Sequence, residues 1–529
     1  MSALATDVQS LTAAADLAAA LYEPWPIDEQ RFVGFGRAAS LAYAAAASSL
    51  SGPSQDLFLS EIRILDFLIQ TAHASAVTRA SQERGLELRI GPMAKAFYAP
   101  DWSAFGRAHA ATLVAGADAR LSGLRQVRRI IRGNPHLGLL RRVTASLRRP
   151  QAWAVGSPGA LLREWARRRN IAMAWPEIGK LQAAPDTAAL AEAATAVRRC
   201  VEAMDRLARD HMGGALDQGP VTSAWNARLE TLARVAAGVH ATRVPAVVFV
   251  AGAGNSLHRA VALSARRAGA RVLTAQHGHN AGHLDADIIC FNDYAISDGF
   301  VCETRLAAIV AQRRSEMMVL PPGRKLQFEW LPEPSNADRW QARKPRGTGS
   351  NSIMLMGFPH SARRSHADIG YHFHMRLDLE LRIAAQLRAD GYRVLYKAHP
   401  EFANTTRPLV APFVDEFIGE PFGAVATRAD LIVFTYPLTT ALAEATLTEI
   451  PIVMFDFAGQ AWSPHERNLL ERRMAMMPAR VESGSRLAFE PADLRSAIAR
   501  APTLRSDDYV QLFMLPEPSG TAPVAVAAT

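Results

Sequence analysis

Two short polar groups, His399-Pro400 and Thr439-Thr440, each stand just past an apolar run, residues 392–396 and 429–434. Lys397 adds a charge beside the first, and Glu444 lies one helical turn beyond the second. A third group, Gln276-His277-Gly278, follows the run 271–275, and Arg363, Arg364 and His366 follow the run 353–357. These residue types suit group transfer from a phosphate ester to a hydroxyl. A histidine near its ordinary pKa of about 6.5 can take the proton. A helix start, its hydroxyls and nearby cations can hold the departing phosphate. Such a reaction needs one group of each kind, a base and a stabiliser of the leaving group. Pro400 stiffens its turn and biases His399 towards an extended backbone. Plainer uses stand beside these: His399 can cap a loop, Thr439 and Thr440 can cap a helix, Glu444 can be a surface residue, and Arg363 and Arg364 can be a solvated loop.

The elements that must position them read as follows. The runs at 392–396, 429–434 and 450–456, with a helical pattern over 441–448, give the strand, loop, strand, helix, strand rhythm of a doubly wound α/β unit. Ligands of such sheets bind at the carboxyl ends of strands, where His399 and Thr439 stand. Two further units precede it: strand 152–156, helix 158–169, strand 171–175; then strand 244–251, turn 252–255, helix 256–267, strand 271–275. The turn carries Gly252-x-Gly254, but Leu257 replaces the third glycine of a dinucleotide fingerprint and no acidic residue ends the second strand. No Walker A sequence occurs. Residues 62–83 and 185–238 read as helices, and 86–90 as a strand. The expected organisation is a helical segment 1–60, a first Rossmann-like domain 61–330 with helical insertions, a linker 331–350, a second Rossmann-like domain 351–505 and a tail 506–529, disordered from about residue 516.

Residues 240–460 resemble the GT-B glycosyltransferases of bacterial capsule, teichoic-acid and sialyl-glycan synthesis. The resemblance rests on His399-Pro400 after a strand, the Thr439-Thr440 pair at the next helix start, and Gln276-His277-Gly278. It implies a GT-B fold, two Rossmann-like domains across a cleft, with the second holding the phosphate of a CMP- or CDP-activated donor through Lys397, His399, Pro400, Thr439, Thr440 and Glu444. It implies His277 as the base, with Gln276, Gly278, Arg363 and Arg364 as substrate contacts. Sialyltransferases of related architecture use an acidic base in an acidic-acidic-Gly motif. Ser297-Asp298-Gly299 is its nearest counterpart and departs at the first position, which leaves Asp298 as the second candidate. The glutamate pair of many retaining GT-B enzymes is not found. The resulting expectation is an inverting, metal-independent glycosyltransferase. It would use a nucleotide-sugar co-substrate and no cofactor, and move a sugar, such as the acidic Kdo or a nonulosonic acid from CMP, to a cell-surface glycan or protein. Two alternatives stay open: transfer of a polyol phosphate from CDP, as in teichoic-acid polymerases, and a binding module without turnover.

Composition narrows the class. With 49% hydrophobic and 21% charged residues over 529 positions, the chain reads as globular and multidomain. Cys200, Cys290 and Cys302 have no metal-type spacing, and three cysteines suit a reducing cytoplasm. His277, His279 and His283 lack a zinc-site context, and Asp285-Ala286-Asp287 sits in the wrong architecture for a D-x-D metal site. No signal peptide or membrane span is read. Of the net charge of +9, a segment from Arg120 to Arg149 carries nine arginines and no acid. That segment is either a solvated helical face, a surface for anionic membrane or an acidic acceptor, or a nucleic-acid contact. No zinc-finger or RNP-type motif supports the last. The expected location is cytoplasmic, with peripheral contact at the inner membrane through this stretch.

Overall fold

Short apolar runs become parallel strands only if both of their faces are covered, and the chain builds its layers accordingly. The computed structural model describes residues 3–11, 17, 21, 23–117, 130–138, 151–250, 254–276, 293–318, 325–332, 334–343, 351–360, 373–457, 462–482 and 486–516. In the first half, β1 (Ala3–Ala5) is followed by helices α1 (Glu29–Ser48), α2 (Gly52–Ser60) and α3 (Ile64–Glu83). Then come β2 (Glu87–Arg89), α4 (Trp102–Ala117), β3 (Ala152–Val155), α5 (Ala160–Arg168), β4 (Met173–Ala174), α6 (Thr187–Met212) and α7 (Gln218–His240). The half continues through β5 (Val247–Val250), α8 (Ser256–Arg267), β6 (Arg271–Ala275), β7 (Gly299–Cys302), α9 (Arg305–Glu316) and β8 (Gln327–Trp330). Strands β3 to β8 form a six-stranded parallel sheet in the order β4-β3-β5-β6-β7-β8.

Side chains alternate across this sheet as strand geometry demands. Val248 and Val250 join one apolar cluster with α1, α2, α3, α6 and α7, whereas Phe249 joins Trp165 of α5 on the other face. The helical layer has its own buried charge. Glu61 is wholly buried between α2 and α3, with His109 and Arg228 as partners. The described part of the basic stretch, residues 130–138, lies against the sheet edge. There the amide of Asn134 accepts from Met173 N at 2.8 Å and donates to Met173 O at 2.9 Å, closing the open side of β4.

The second half begins with α10 (Pro334–Gln341), inside the stretch read as a linker, followed by β9 (Ser352–Met356), α11 (Phe373–Ala389), β10 (Arg393–Lys397), α12 (Ala403–Val410) and β11 (Glu416–Ile418). It continues with β12 (Leu431–Phe434), α13 (Thr440–Thr446), β13 (Ile452–Phe457), α14 (Pro464–Glu471), β14 (Ala475–Glu482), β15 (Arg486–Ala488), α15 (Pro491–Arg500) and α16 (Asp508–Phe513). The sheet order is β11-β10-β9-β12-β13-β14-β15, parallel except for the last pair. Met354, Leu395, Phe434 and Met454 face one cluster, shared with α9, α13 and α16; Leu355, Tyr396, Val433 and Phe455 face the other, shared with α11.

The strands expected at 152–156, 171–175, 271–275, 392–396, 429–434 and 450–456 are therefore present, and the described residues form an α/β protein with a six-stranded parallel sheet and a seven-stranded, mostly parallel one. The amino-terminal stretch, expected to be helical, opens instead with β1, which pairs with β2 in parallel. No helix among the described residues is long and apolar enough to cross a membrane. The rest of the basic stretch, 120–129 and 139–149, the histidine and aspartate loop 277–292, and the tail 517–529 lie outside the described residues.

Trp25 ties the helical layer to the second sheet. Its indole N–H donates to Nε2 of His73 on α3 at 3.1 Å, and its ring stacks on His374 of α11 with centroids 4.8 Å apart. Burial holds both imidazoles neutral, pushing His73 from 6.5 to about 3 and His374 to about 4; neighbouring His374 lowers His73 further, and Asp378 opposes the shift of His374. Both folded values lie below the unfolded one, so the unfolded chain binds more protons between about pH 6.5 and 4, and stability falls as pH drops through that window. The unfolding free energy from urea titration should fall by about 2 kcal/mol for each histidine by pH 5. His374→Phe, which keeps a ring beneath Trp25, should flatten the slope by about half, and an unchanged slope would contradict this account.

Candidate functional site

Strand order decides where the second sheet can bind a ligand. Counted within the sheet, it runs 3-2-1-4-5-6-7, so the direction of winding reverses between β9 and β12. The two connections leave in opposite directions there and open a crevice at the carboxyl edge. The register levels that edge: Lys397 pairs with Met356 and Ile418, and Phe434 with Met356 and Met454. The pairing continues one step, with Gly357 N donating to Lys397 O at 2.9 Å and Ala398 N to Ile418 O at 3.0 Å. The ends of β10 and β12 flank β9 and stand roughly 10 Å apart, two strand spacings.

The sequence-predicted residues take these places. His399 follows β10 in extended backbone (φ −64°, ψ 130°), half-buried, with its ring 5.9 Å from that of Phe402; Pro400 opens a short 3-10 turn. Lys397 is buried, and its ammonium donates to Ala398 O at 2.5 Å. Burial lowers its pKa, against the pull of Glu420. Thr439 caps α13, its hydroxyl accepting from Ala441 N at 3.3 Å, and Thr440 is the exposed first residue of that seven-residue helix. Glu444 accepts from Arg339 of α10 at 2.9 Å, an ion pair linking α10 to α13. Arg363 and Arg364 lie outside the described residues.

In the first sheet, Gln276 stands at the carboxyl end of β6, its backbone N–H donating to Val301 O at 2.9 Å. Asn255 caps α8, accepting from Leu257 N at 2.9 Å, so the turn before it is a strand-to-helix turn. His277 and Gly278 lie outside the described residues. Asp298 does not join Gln276. It precedes β7, and its carboxylate accepts from Val272 N at 2.8 Å near the amino end of β6. Four residues of strand, about 13 Å, separate that level from Gln276. Among the described residues no group of three or more metal-ligating side chains gathers.

Sequence reasoning missed the most heavily bonded polar group at the crevice. Behind it, on the face towards α11, Glu380 is buried and accepts from Phe358 N at 2.7 Å and from the Tyr396 hydroxyl at 2.7 Å, with His360 Nε2 2.9 Å away. The Thr435 hydroxyl lies 3.4 Å from its other oxygen, and Arg376, one turn back on α11, donates to Thr435 O. Burial, then the charge and hydrogen bond of Glu380, push the Tyr396 phenol well above its ordinary pKa. The signal was present: four charged or polar residues, His374, Arg376, Asp378 and Glu380, alternate with apolar ones through a helix buried on every side there.

The comparisons name no family. No family model matches the chain, and no curated protein does. A solved structure described as "Structure of MT0777" aligns at 16% identity over 29% of this chain and 98% of its own, with a TM-score of 0.19. So loose a superposition carries no argument.

Gly357 offers a direct test of how tightly this edge is built. A Cβ on it would lie 2.3 Å from the Tyr396 hydroxyl and 2.5 Å from the ring carbon that bears it. Gly357→Ala should destabilise by about 2 kcal/mol in urea unfolding. Gly419→Ala, where a Cβ meets nothing within 4 Å, should be close to neutral. Equal effects at the two glycines would show that the edge is not close-packed.

Proposed function

We propose that the carboxyl edge of the second sheet binds the phosphate of a nucleotide-activated donor, and that the chain is a glycosyltransferase of GT-B type. The observation that carries this reading is the reversal of strand order at β9 and β12, with His399 and Thr439 following the two strands that flank β9. In this reading the two parallel sheets are the two halves of the GT-B pair. His399 and the Thr439 and Thr440 hydroxyls hold the donor phosphate, and Lys397 contributes positive charge from beneath. The first sheet supplies the acceptor side, with Gln276 at its carboxyl edge and His277, the next residue, as the base. Because Asp298 stands at the other edge, it has no part in this mechanism. In this reading donor phosphate and base belong to different halves of the chain, so the acceptor hydroxyl is deprotonated on one side while charge builds on the other.

The donor is read as a cytidine nucleotide carrying a sugar, an acidic one such as Kdo or a nonulosonic acid, and the acceptor as a cell-surface glycan or protein. Calorimetric titration of the full chain with CMP, CDP, UDP, GDP and NAD tests this. Binding of CMP that weakens about ten- to a hundredfold in His399→Ala is the expected result, the loss of one hydrogen bond to a charged group. Preference for CDP would favour polyol-phosphate transfer, preference for UDP or GDP another sugar nucleotide, and binding of none would remove the donor assignment.

A further inference from the structure

The carboxylate of Glu380 gathers donors from three strand ends at once. Its Oε1 receives the Phe358 amide at 2.7 Å and the Thr435 hydroxyl at 3.4 Å; its Oε2 receives the Tyr396 hydroxyl at 2.7 Å and faces His360 Nε2 at 2.9 Å. An ionised carboxyl has about four acceptor positions and no donor, so every position is taken. His360 presents its Nε2 edge to the carboxyl group at hydrogen-bond distance. Its Nδ1 is buried without a hydrogen-bond partner among the described residues.

Phe358 and His360 lie just past β9, Tyr396 lies within β10, and Thr435 just past β12; the acceptor sits on α11. Arg376 of the same helix takes the Thr435 carbonyl, so α11 grips that residue by side chain and backbone together. We infer that Glu380 is the positioning residue of the crevice. It fixes the carboxyl ends of β9, β10 and β12 at one spacing and holds residues 357–360 against α11, so the edge is set before any ligand arrives. Its effect on affinity rests on the donor reading above; the ordering of the edge does not.

Glu380→Gln keeps the volume and removes the charge and one acceptor oxygen. Amide hydrogen exchange on the full chain, read by mass spectrometry, should rise about tenfold over residues 352–360, 393–399 and 431–436 and stay unchanged over 247–250 and 271–275, as expected for loss of a hydrogen bond to a charged group. Affinity of the folded variant for CMP or CDP should fall about tenfold. Tyr396→Phe, which keeps the ring and the carboxylate, should give the same pattern at smaller size. It decides the question if Glu380→Gln fails to fold. A residue that only adds stability would lower the unfolding midpoint and raise exchange in both sheets, leaving the affinity of folded molecules alone; that result, or unchanged exchange at the crevice, overturns the inference. If the unaltered protein binds no nucleotide, the donor reading falls and the exchange comparison by itself decides the role of Glu380.

Discussion

A full negative charge in a dry interior is tolerable only where protein donors replace the water it has lost. Glu380 meets that condition with groups drawn from positions 358, 360, 396 and 435, and the condition reaches far into the fold. The donors converge only if β9 lies between β10 and β12, and only if α11 crosses the face on which Tyr396 and Thr435 point. The order 3-2-1-4 supplies the first requirement, and the apolar residues of α11, Leu377, Leu379, Leu381 and Ile383, supply the second by packing on Leu355, Val433 and Phe455. Charge and topology thus depend on each other here. The apolar contacts would accept many small shifts of helix on sheet, whereas four hydrogen bonds to one carboxylate accept very few.

The same division recurs elsewhere. Broad apolar clusters hold the layers together, and single buried polar groups stand where layers or edges must meet in one way. Trp25 joins His73 of α3 to His374 of α11. Asn134 takes both backbone groups of Met173 at the edge of the first sheet. Glu303, just past β7, accepts from Asn336 of α10 at 3.0 Å, and the same Asn336 amide reaches Met514 O beyond α16. Each of these bonds joins segments far apart in the chain, and in each an unmade partner would cost more than the bond contributes.

That division also explains what could be read from the sequence. Strands β9, β10, β12 and β13 are covered on both faces and are therefore continuous apolar runs, visible by composition. β14 was hidden by Pro478, which stands exposed after buried Ala475 and Met477 and half-buried Met476, and β8 by its half-exposed edge position, where Gln327-Phe328-Glu329-Trp330 shows no buried face. The places of His399 and Thr439 were legible because each follows an apolar run by a few residues, and a polar group just past a strand is a local signal. Glu380 was not read, because its partners lie from 16 to 55 residues away; the polar alternation around it marks an unusual helix but does not say which groups it meets. The alternation of residues 373–383 even has the period of a strand. It is a helix because that segment is enclosed, so its polar residues find partners inside the protein instead of on one wet face.

β10 shows how the hub and the candidate contact surface constrain one another. By alternation, Tyr396 faces α11 and Glu380, while Lys397 shares the side of Leu395, which faces the cluster containing α13. A slip of one residue in the pairing with β9 would exchange the two. It would bring an ammonium against Glu380 in place of the phenol, leave His360 and Phe358 N competing for a rearranged carboxylate, and bury the Tyr396 hydroxyl away from its acceptor. The slip is therefore opposed by several unmade hydrogen bonds at once, not only by apolar packing, which on both faces of this strand would be nearly indifferent to it. The register that satisfies Glu380 is the same one that sends Lys397 to the α13 side and lets the chain leave the sheet at His399. A hydrogen-bonded carboxylate on one face thus fixes which cationic and imidazole groups the strand presents on the other.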